Sequence, residues 1–167
     1  AIFQTDSYKL SHFGQMPPNS TELYSHLTPR NNHYLKQKFP LMKDKVVVYG
    51  TTGVVKLLTE MWDENFFDLE WEVVKEQALN LLNPFVGIVK EDLEKFKKLH
   101  DLQYLPLEIK SLAEGSHVPL NIPVLTVRNT HPDFYWLTNF IEPFLLSNIY
   151  KPMTVATLSL ELARIRN

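Results

Sequence analysis

Cysteine is absent from all 167 residues, which excludes a disulfide framework and a thiolate metal site and suits a reducing compartment, so a cytoplasmic setting is expected. A basic surplus is missing too. The 17 Lys and Arg stand against 19 Asp and Glu, a formal net charge of -2, whereas nucleic-acid binding draws on cations that neutralise phosphates. Nucleic acid is therefore set aside as a main partner. The longest apolar runs, such as Phe144-Leu145-Leu146, fall far short of the roughly 20 residues that cross a bilayer, and no charged-then-apolar leader opens the chain, so no membrane association is expected. Phosphate-loop, dinucleotide-loop, zinc-protease and nucleophile-elbow signatures are all missing. The histidines (His12, His26, His33, His100, His117 and His131) are scattered without a helical metal-ligand pair. They read as surface or packing residues, and no metal site is expected.

What is present is material for a folded core. The length suits one domain and 44% of residues are hydrophobic. No repeat, low-complexity tract or Gly/Ser linker divides residues 1–167, so one continuous α+β unit is expected. The chain starts at Ala1, and a periodic helical pattern from Met153 to Asn167 carries no stop signal, which reads as a piece of a longer protein.

Thr5 and Asp6 are placed to cap a short helical turn over Ser7 to Leu10, ending before Gly14 and Pro17-Pro18. Ser20 to Leu27 alternates as a strand that Pro29 stops, leaving Arg30 at the strand end and a polar loop through Asn31, Asn32 and His33. Val46 to Tyr49 reads as a buried strand bounded by Gly50. Amphipathic helices are expected around Val54, Leu57, Leu58 and Met61, then from Glu70 to Leu82 before Pro84, and from Glu91 to Leu102. Leu107 to Ser111 and Pro123 to Val127 read as paired strands. Thr130 or Asp133 would cap a helix through Ile149, kinked near Pro143, and Pro152 would open a final helix. The helices over 133–167 are expected to pack on a larger body, their apolar faces at Phe140 to Ile149 and Val155 to Ile165 exposed without it.

Three residues stand out for chemistry. Asp6 and Tyr8 set an acceptor beside a flat ring, so a planar heteroaromatic ligand could stack on Tyr8 while the carboxylate takes its exocyclic amide and repels an acid analogue. The bland alternative is that Asp6 caps and Tyr8 packs. Arg30 could hold a phosphate through its guanidinium fork, or be a solvated strand-end residue. The aromatic stretch Phe134 to Phe140 continues to Phe144 with one-face spacing (Trp136, Phe140, Phe144) and reads as core or subunit packing. Lys90 to Lys98 reads as a solvated face, with Glu91 and Glu94 spaced to pair with Lys95 and Lys98. No catalytic residue is assigned.

Thr5-Asp6-Ser7-Tyr8-Lys9-Leu10-Ser11-His12, Met16 to Thr21 and Val48-Tyr49-Gly50 occur in one order with Leu105 to Lys110, Glu114-Gly115, Pro123 to Val127, Tyr135 to Asn139 and Met153 to Thr157. Together these strings resemble the amino-terminal portion of the nicotinamide phosphoribosyltransferase family. The resemblance implies the mixed strand and helix portion of a type II phosphoribosyltransferase, with most of its α/β barrel outside this chain. It further implies transfer of phosphoribosyl from phosphoribosyl pyrophosphate to nicotinamide, giving nicotinamide mononucleotide and pyrophosphate in NAD salvage.

By motif match, Tyr8 would stack on nicotinamide, Asp6 would meet its carboxamide and Arg30 would bind phosphate in a homodimer with shared active sites. Mg²⁺ would travel mainly with the donor pyrophosphate, and ATP could activate. Family members can carry a second basic residue where this chain has Asn32, a loss that Lys36 and Lys38 could offset. The groups that bind ribose and pyrophosphate lie outside this sequence, so these residues alone are expected to be inactive. Two rivals are a nicotinate or quinolinate phosphoribosyltransferase and a catalytically silent interaction or dimerisation domain.

Overall fold

The computed structural model of the chain describes residues 1–39, 43–86 and 90–166. It is mixed: two small antiparallel sheets lie against helices, as the α+β reading requires. In the larger sheet, β1 (Tyr24–Leu27) and β3 (Leu107–Ser111) flank the central β5 (Leu125–Asn129). Tyr24 lies opposite Arg128, and Leu107 opposite Asn129. The smaller sheet pairs β2 (Lys45–Val47) with β4 (His117–Pro119). Helices α1 (Ser7–Ser11), α2 (His33–Lys38), α3 (Thr51–Trp62), α4 (Trp71–Val86), α5 (Lys90–Leu102) and α6 (Tyr135–Arg166) complete the fold, with a π-helical turn, Asp63–Phe67, extending α3.

Aromatic side chains close the helical core. Trp62 meets Phe66 at a ring-centroid distance of 5.0 Å, and Phe96 lies 5.5 Å from Trp136 and 5.8 Å from Phe140, all edge-on. This is the geometry that aromatic quadrupoles favour. Trp136, Phe140 and Phe144 are buried, so the aromatic stretch is core, as its spacing predicts.

Several expected boundaries move, each for a local reason. The strand expected from Ser20 begins only at Tyr24. Before it, the Asn129 side chain accepts from the Leu23 N–H and donates to the Thr21 carbonyl, both at 2.9 Å, in place of a ladder. Central β5 runs two residues further than expected, to Asn129, because strands pair along both its edges. The expected loop at His33 is the start of α2, and α4 continues past Pro84 to Val86. On α5, Lys95 lies 3.9 Å from Asp92 and Lys98 lies 3.8 Å from Asp133; the Glu91 side chain lies outside the described residues.

The two helices expected after residue 133 are one. A 3-10 turn at Pro132–Phe134 leads into α6, and its cap is His131, whose Nδ1 accepts from the Asp133 N–H at 3.2 Å, rather than Thr130 or Asp133. Both Pro143 and Pro152 lie inside α6. Its face from Phe140 to Ile149 is covered by this chain, Phe140, Ile141, Phe144, Leu145 and Ile149 all being buried, whereas Val155, Leu162 and Ile165 are exposed. Further along, Thr157 is buried and its hydroxyl accepts from the Val47 N–H at 2.9 Å, tying α6 to β2.

Candidate functional site

A five-residue helix such as α1 cannot hold itself in water, where isolated helices shorter than about 12 residues are marginal. Anchors must hold it instead. The expected caps do not form: Thr5 Oγ1 donates to the Phe140 carbonyl at 2.7 Å, and Asp6 accepts from the Tyr8 hydroxyl at 3.0 Å. A longer-range partner claims one oxygen and a side-chain partner the other. The bland reading of Asp6 as a cap is thereby corrected.

The second anchor comes from a proline. Pro143 has no N–H to give to the carbonyl four residues back, which leaves Asn139 O without its helical donor. Lys9 Nζ takes it at 2.9 Å, takes Asn139 Oδ1 at 2.8 Å, and pairs with Glu142 at 2.5 Å. The other Glu142 oxygen accepts from the Ser25 hydroxyl of β1. Lys9 is only 6% exposed, and a buried ammonium is tolerated when its donors are satisfied, as all three are here. Because Lys9 can only donate, the Asn139 amide must turn its oxygen to Lys9 and its nitrogen to His12 Nδ1, 2.6 Å away. His12 therefore carries its ring proton on Nε2.

Tyr8 stands on the outer side of α1, 56% exposed, its ring centroid 5.4 Å from that of His12. Its phenol titrates above the usual tyrosine range, chiefly because the hydroxyl donates to Asp6 and secondarily through desolvation and the nearby carboxylate charges. With Oδ2 used by Tyr8, Asp6 keeps Oδ1 as an acceptor.

Arg30 follows β1 on a loop held on both sides. The Asn121 N–H donates to the Pro29 carbonyl at 2.8 Å, and the buried Asn32 side chain donates to the Lys43 carbonyl at 3.0 Å. The Arg30 side chain is exposed and makes no hydrogen bond or ion pair among the described residues. Asn32 is thus a structural clamp. The expected help from lysines is absent: Lys36 pairs with Asp44 at 2.5 Å, and neither Lys36 nor Lys38 lines the cleft, whereas His33 and Tyr34 do.

Asp6, Tyr8 and Arg30 line one open cleft of about 1170 Å³ between the sheet and α6. Its apolar wall includes the buried Leu125, Val127, Leu145 and Met153. Lys9 and Glu142 also line the cleft but are paired with each other; the apolar walls, the Asp6 acceptor beside a ring and the Arg30 cation are a set that can orient a flat polar heteroaromatic and an oxyanion together. Among the described residues no group of three or more His, Asp or Glu side chains could hold a metal ion, and no helix is long and apolar enough to cross a membrane.

Residues 1–77 match the family profile "Nicotinamide phosphoribosyltransferase, N-terminal domain". A nicotinamide phosphoribosyltransferase of Acinetobacter baylyi is 38% identical over 161 residues, covering 96% of this chain and 32% of that protein. The chain resembles the amino-terminal portion of nicotinamide phosphoribosyltransferase. A second nicotinamide phosphoribosyltransferase, from Xanthomonas campestris pv. campestris, is 23% identical over 171 residues, 98% of this chain and 31% of that one. The chain thus spans about a third of the length of the curated relatives it matches. Among solved structures, human nicotinic acid phosphoribosyltransferase superposes with a TM-score of 0.56 at 18% identity, over 93% of this chain and 26% of that one. That likeness is one of fold.

Sequence reading singled out Asp6, Tyr8 and Arg30, first from their chemistry and then by resemblance, but missed Lys9, Asn139, Glu142 and His12, which hold α1 in place. One signal was available. A proline inside a helical pattern marks the carbonyl four residues earlier as open to an outside donor.

Proposed function

We propose that the chain forms the pyridine-recognition corner of a nicotinamide phosphoribosyltransferase, a pentosyltransferase of NAD salvage, acting as a homodimer with shared active sites in the cytoplasm. The observation that carries this reading is the convergence of Asp6, Tyr8 and Arg30 on one cleft in a chain with this family match.

In the proposed reaction the lone pair of the nicotinamide ring nitrogen forms a bond to the anomeric carbon of phosphoribosyl pyrophosphate. The bond from that carbon to the pyrophosphate oxygen breaks, and its electrons leave with pyrophosphate. Tyr8 stacks on the ring and Asp6 Oδ1 accepts from the carboxamide N–H, so the ring nitrogen is held in line, which supports catalysis through orientation. The same carboxylate disfavours nicotinic acid by like-charge repulsion. Arg30 binds phosphate oxygens of the donor side. Mg²⁺, arriving with the donor pyrophosphate, would stabilise the leaving charge, and ATP would act as an activator through sequence outside this chain.

The test is nicotinamide mononucleotide formation by the natural full-length protein, with nicotinamide, nicotinic acid and quinolinate compared as acceptors in the presence of Mg²⁺. Product with nicotinamide only is expected, and Arg30→Ala should raise the KM for phosphoribosyl pyrophosphate about tenfold or more, as loss of a charge-assisted contact does. Preference for an acid substrate would reassign the acceptor. No product from any pyridine would leave an interaction or dimerisation domain.

A further inference from the structure

The geometry points to Lys9 as a positioning residue for the pyridine site, resting on the reading that Asp6 and Tyr8 receive nicotinamide. Lys9 lies between the recognition residues and α6; it forms part of the cleft lining, but its ammonium is turned to Asn139 and Glu142 of α6 and has no donor left for a ligand. Its reach is structural. Nζ fills the Asn139 carbonyl that Pro143 leaves open and pairs with Glu142, while the Asn139 amide that it orients holds His12 Nδ1 at 2.6 Å. His12 in turn lies against the Tyr8 ring, 5.4 Å between centroids. Lys9 thus controls Tyr8 by two routes: the backbone of α1 that both share, and the ring on which Tyr8 rests.

The buried Leu10 also holds α1 to the core, but an apolar contact does not fix direction as hydrogen bonds do. The helix is five residues long and has no side-chain cap; the long-range side-chain bonds that flank it are those of Thr5 to Phe140 and of His12 to the Asn139 amide that Lys9 orients. Without the ammonium, α1 keeps its contacts but loses the bonds that fix its rotation on α6. Tyr8 and Asp6 would then sample orientations that misplace a bound ring. The other Glu142 oxygen binds Ser25 of β1, and β1 leads directly to Pro29 and Arg30. This bond stays when Lys9 is removed, so the donor side is unaffected.

The test uses the natural full-length protein and reads separate KM values for nicotinamide and phosphoribosyl pyrophosphate. Lys9→Met keeps the stem and removes the charge; it should raise the nicotinamide KM about tenfold and leave the donor KM within about twofold. In a background carrying Tyr8→Ala and Asp6→Asn, the same change should add less than about twofold, because a residue acting through others loses its effect when they are gone. Equal effects on both KM values, or an effect fully retained in that background, would overturn the proposal. If Lys9→Met does not fold, Glu142→Gln keeps the shape and an oxygen for Ser25 while turning an amide N–H towards Lys9; a rise confined to nicotinamide supports the role, and an unchanged nicotinamide KM or an equal rise in both KM values overturns it. The Tyr8→Ala, Asp6→Asn protein separates the two ideas. A normal nicotinamide KM there ends the pyridine reading and this proposal together, whereas a raised KM there with an unchanged one in Lys9→Met ends only the role of Lys9.

Discussion

Gly50 lies directly against Pro152: a Cβ built on Gly50 would fall 2.7 Å from the proline Cγ and 2.8 Å from its Cβ. Gly50 is also in the left-handed region, at φ 85°, immediately before α3. Both facts ask for glycine, one through backbone sterics and one through the closeness of α6. The neighbouring atoms belong to a rigid ring inside a helix, so they cannot swing away.

Gly50→Ala is therefore expected to destabilise the fold by about 2 to 5 kcal/mol, combining the left-handed penalty with an overpacking cost. Urea denaturation would show this as a lower midpoint at unchanged slope. A loss under about 0.5 kcal/mol, the range of ordinary surface changes, would show that α3 and α6 separate easily here.

Glu114 supplies what Gly50 cannot. Its carboxylate accepts from the Gly50 N–H at 2.9 Å, the Thr52 N–H at 3.0 Å and the Thr51 hydroxyl at 3.1 Å, capping α3 from a distant turn. These bonds, led by the one from Thr52, hold its pKa below the usual glutamate value against a desolvation effect of opposite sign. With the folded pKa depressed, the stabilisation is present above the unfolded value of about 4.3 and is lost as pH falls through the folded pKa. Glu114→Gln should lower stability at neutral pH by about 1 kcal/mol, as loss of a helix cap does, and the difference from the parent should vanish in acid. A gap that persists unchanged below the folded pKa would show that the charge is irrelevant.

The sequence made some of this legible and hid the rest for physical reasons. Helices α3 and α5 and strand β3 came from periodicity, because each buries one face against a core and the apolar spacing records it. Strand β4, three residues ending at Pro119, was invisible, since its identity lies in its pairing with β2. Pro152 misled because a proline inside a helix and a proline opening one look alike in sequence; only the helix before it, packed by Phe144 and Ile149, decides. In the site, Asp6 and Tyr8 were visible as an adjacent acceptor and ring. Lys9 was not, because its partners Asn139 and Glu142 are more than a hundred residues away and local spacing holds no trace of them.

Asn129 offers the sharpest test of the sheet edge. It is 8% exposed, and its side chain accepts from Leu23 N–H at 2.9 Å while donating to the carbonyls of Thr21 at 2.9 Å and His131 at 3.0 Å. Asn129→Ala strands one donor and two acceptors, at an expected cost of about 2 to 3 kcal/mol, with hydrogen exchange accelerated at the Leu23 amide. Asn129→Asp keeps the acceptor for Leu23 but turns an oxygen towards two carbonyls, so at neutral pH it should be no more stable than Asn129→Ala. Protonation would restore a donor, so the folded pKa of that aspartate would be raised; its stability would be greatest in acid and decline as pH rises through that value. A pH-independent Asn129→Asp protein as stable as the parent would mean that the Thr21 and His131 carbonyls find other donors, and that the residues before β1 owe their shape to something besides this amide.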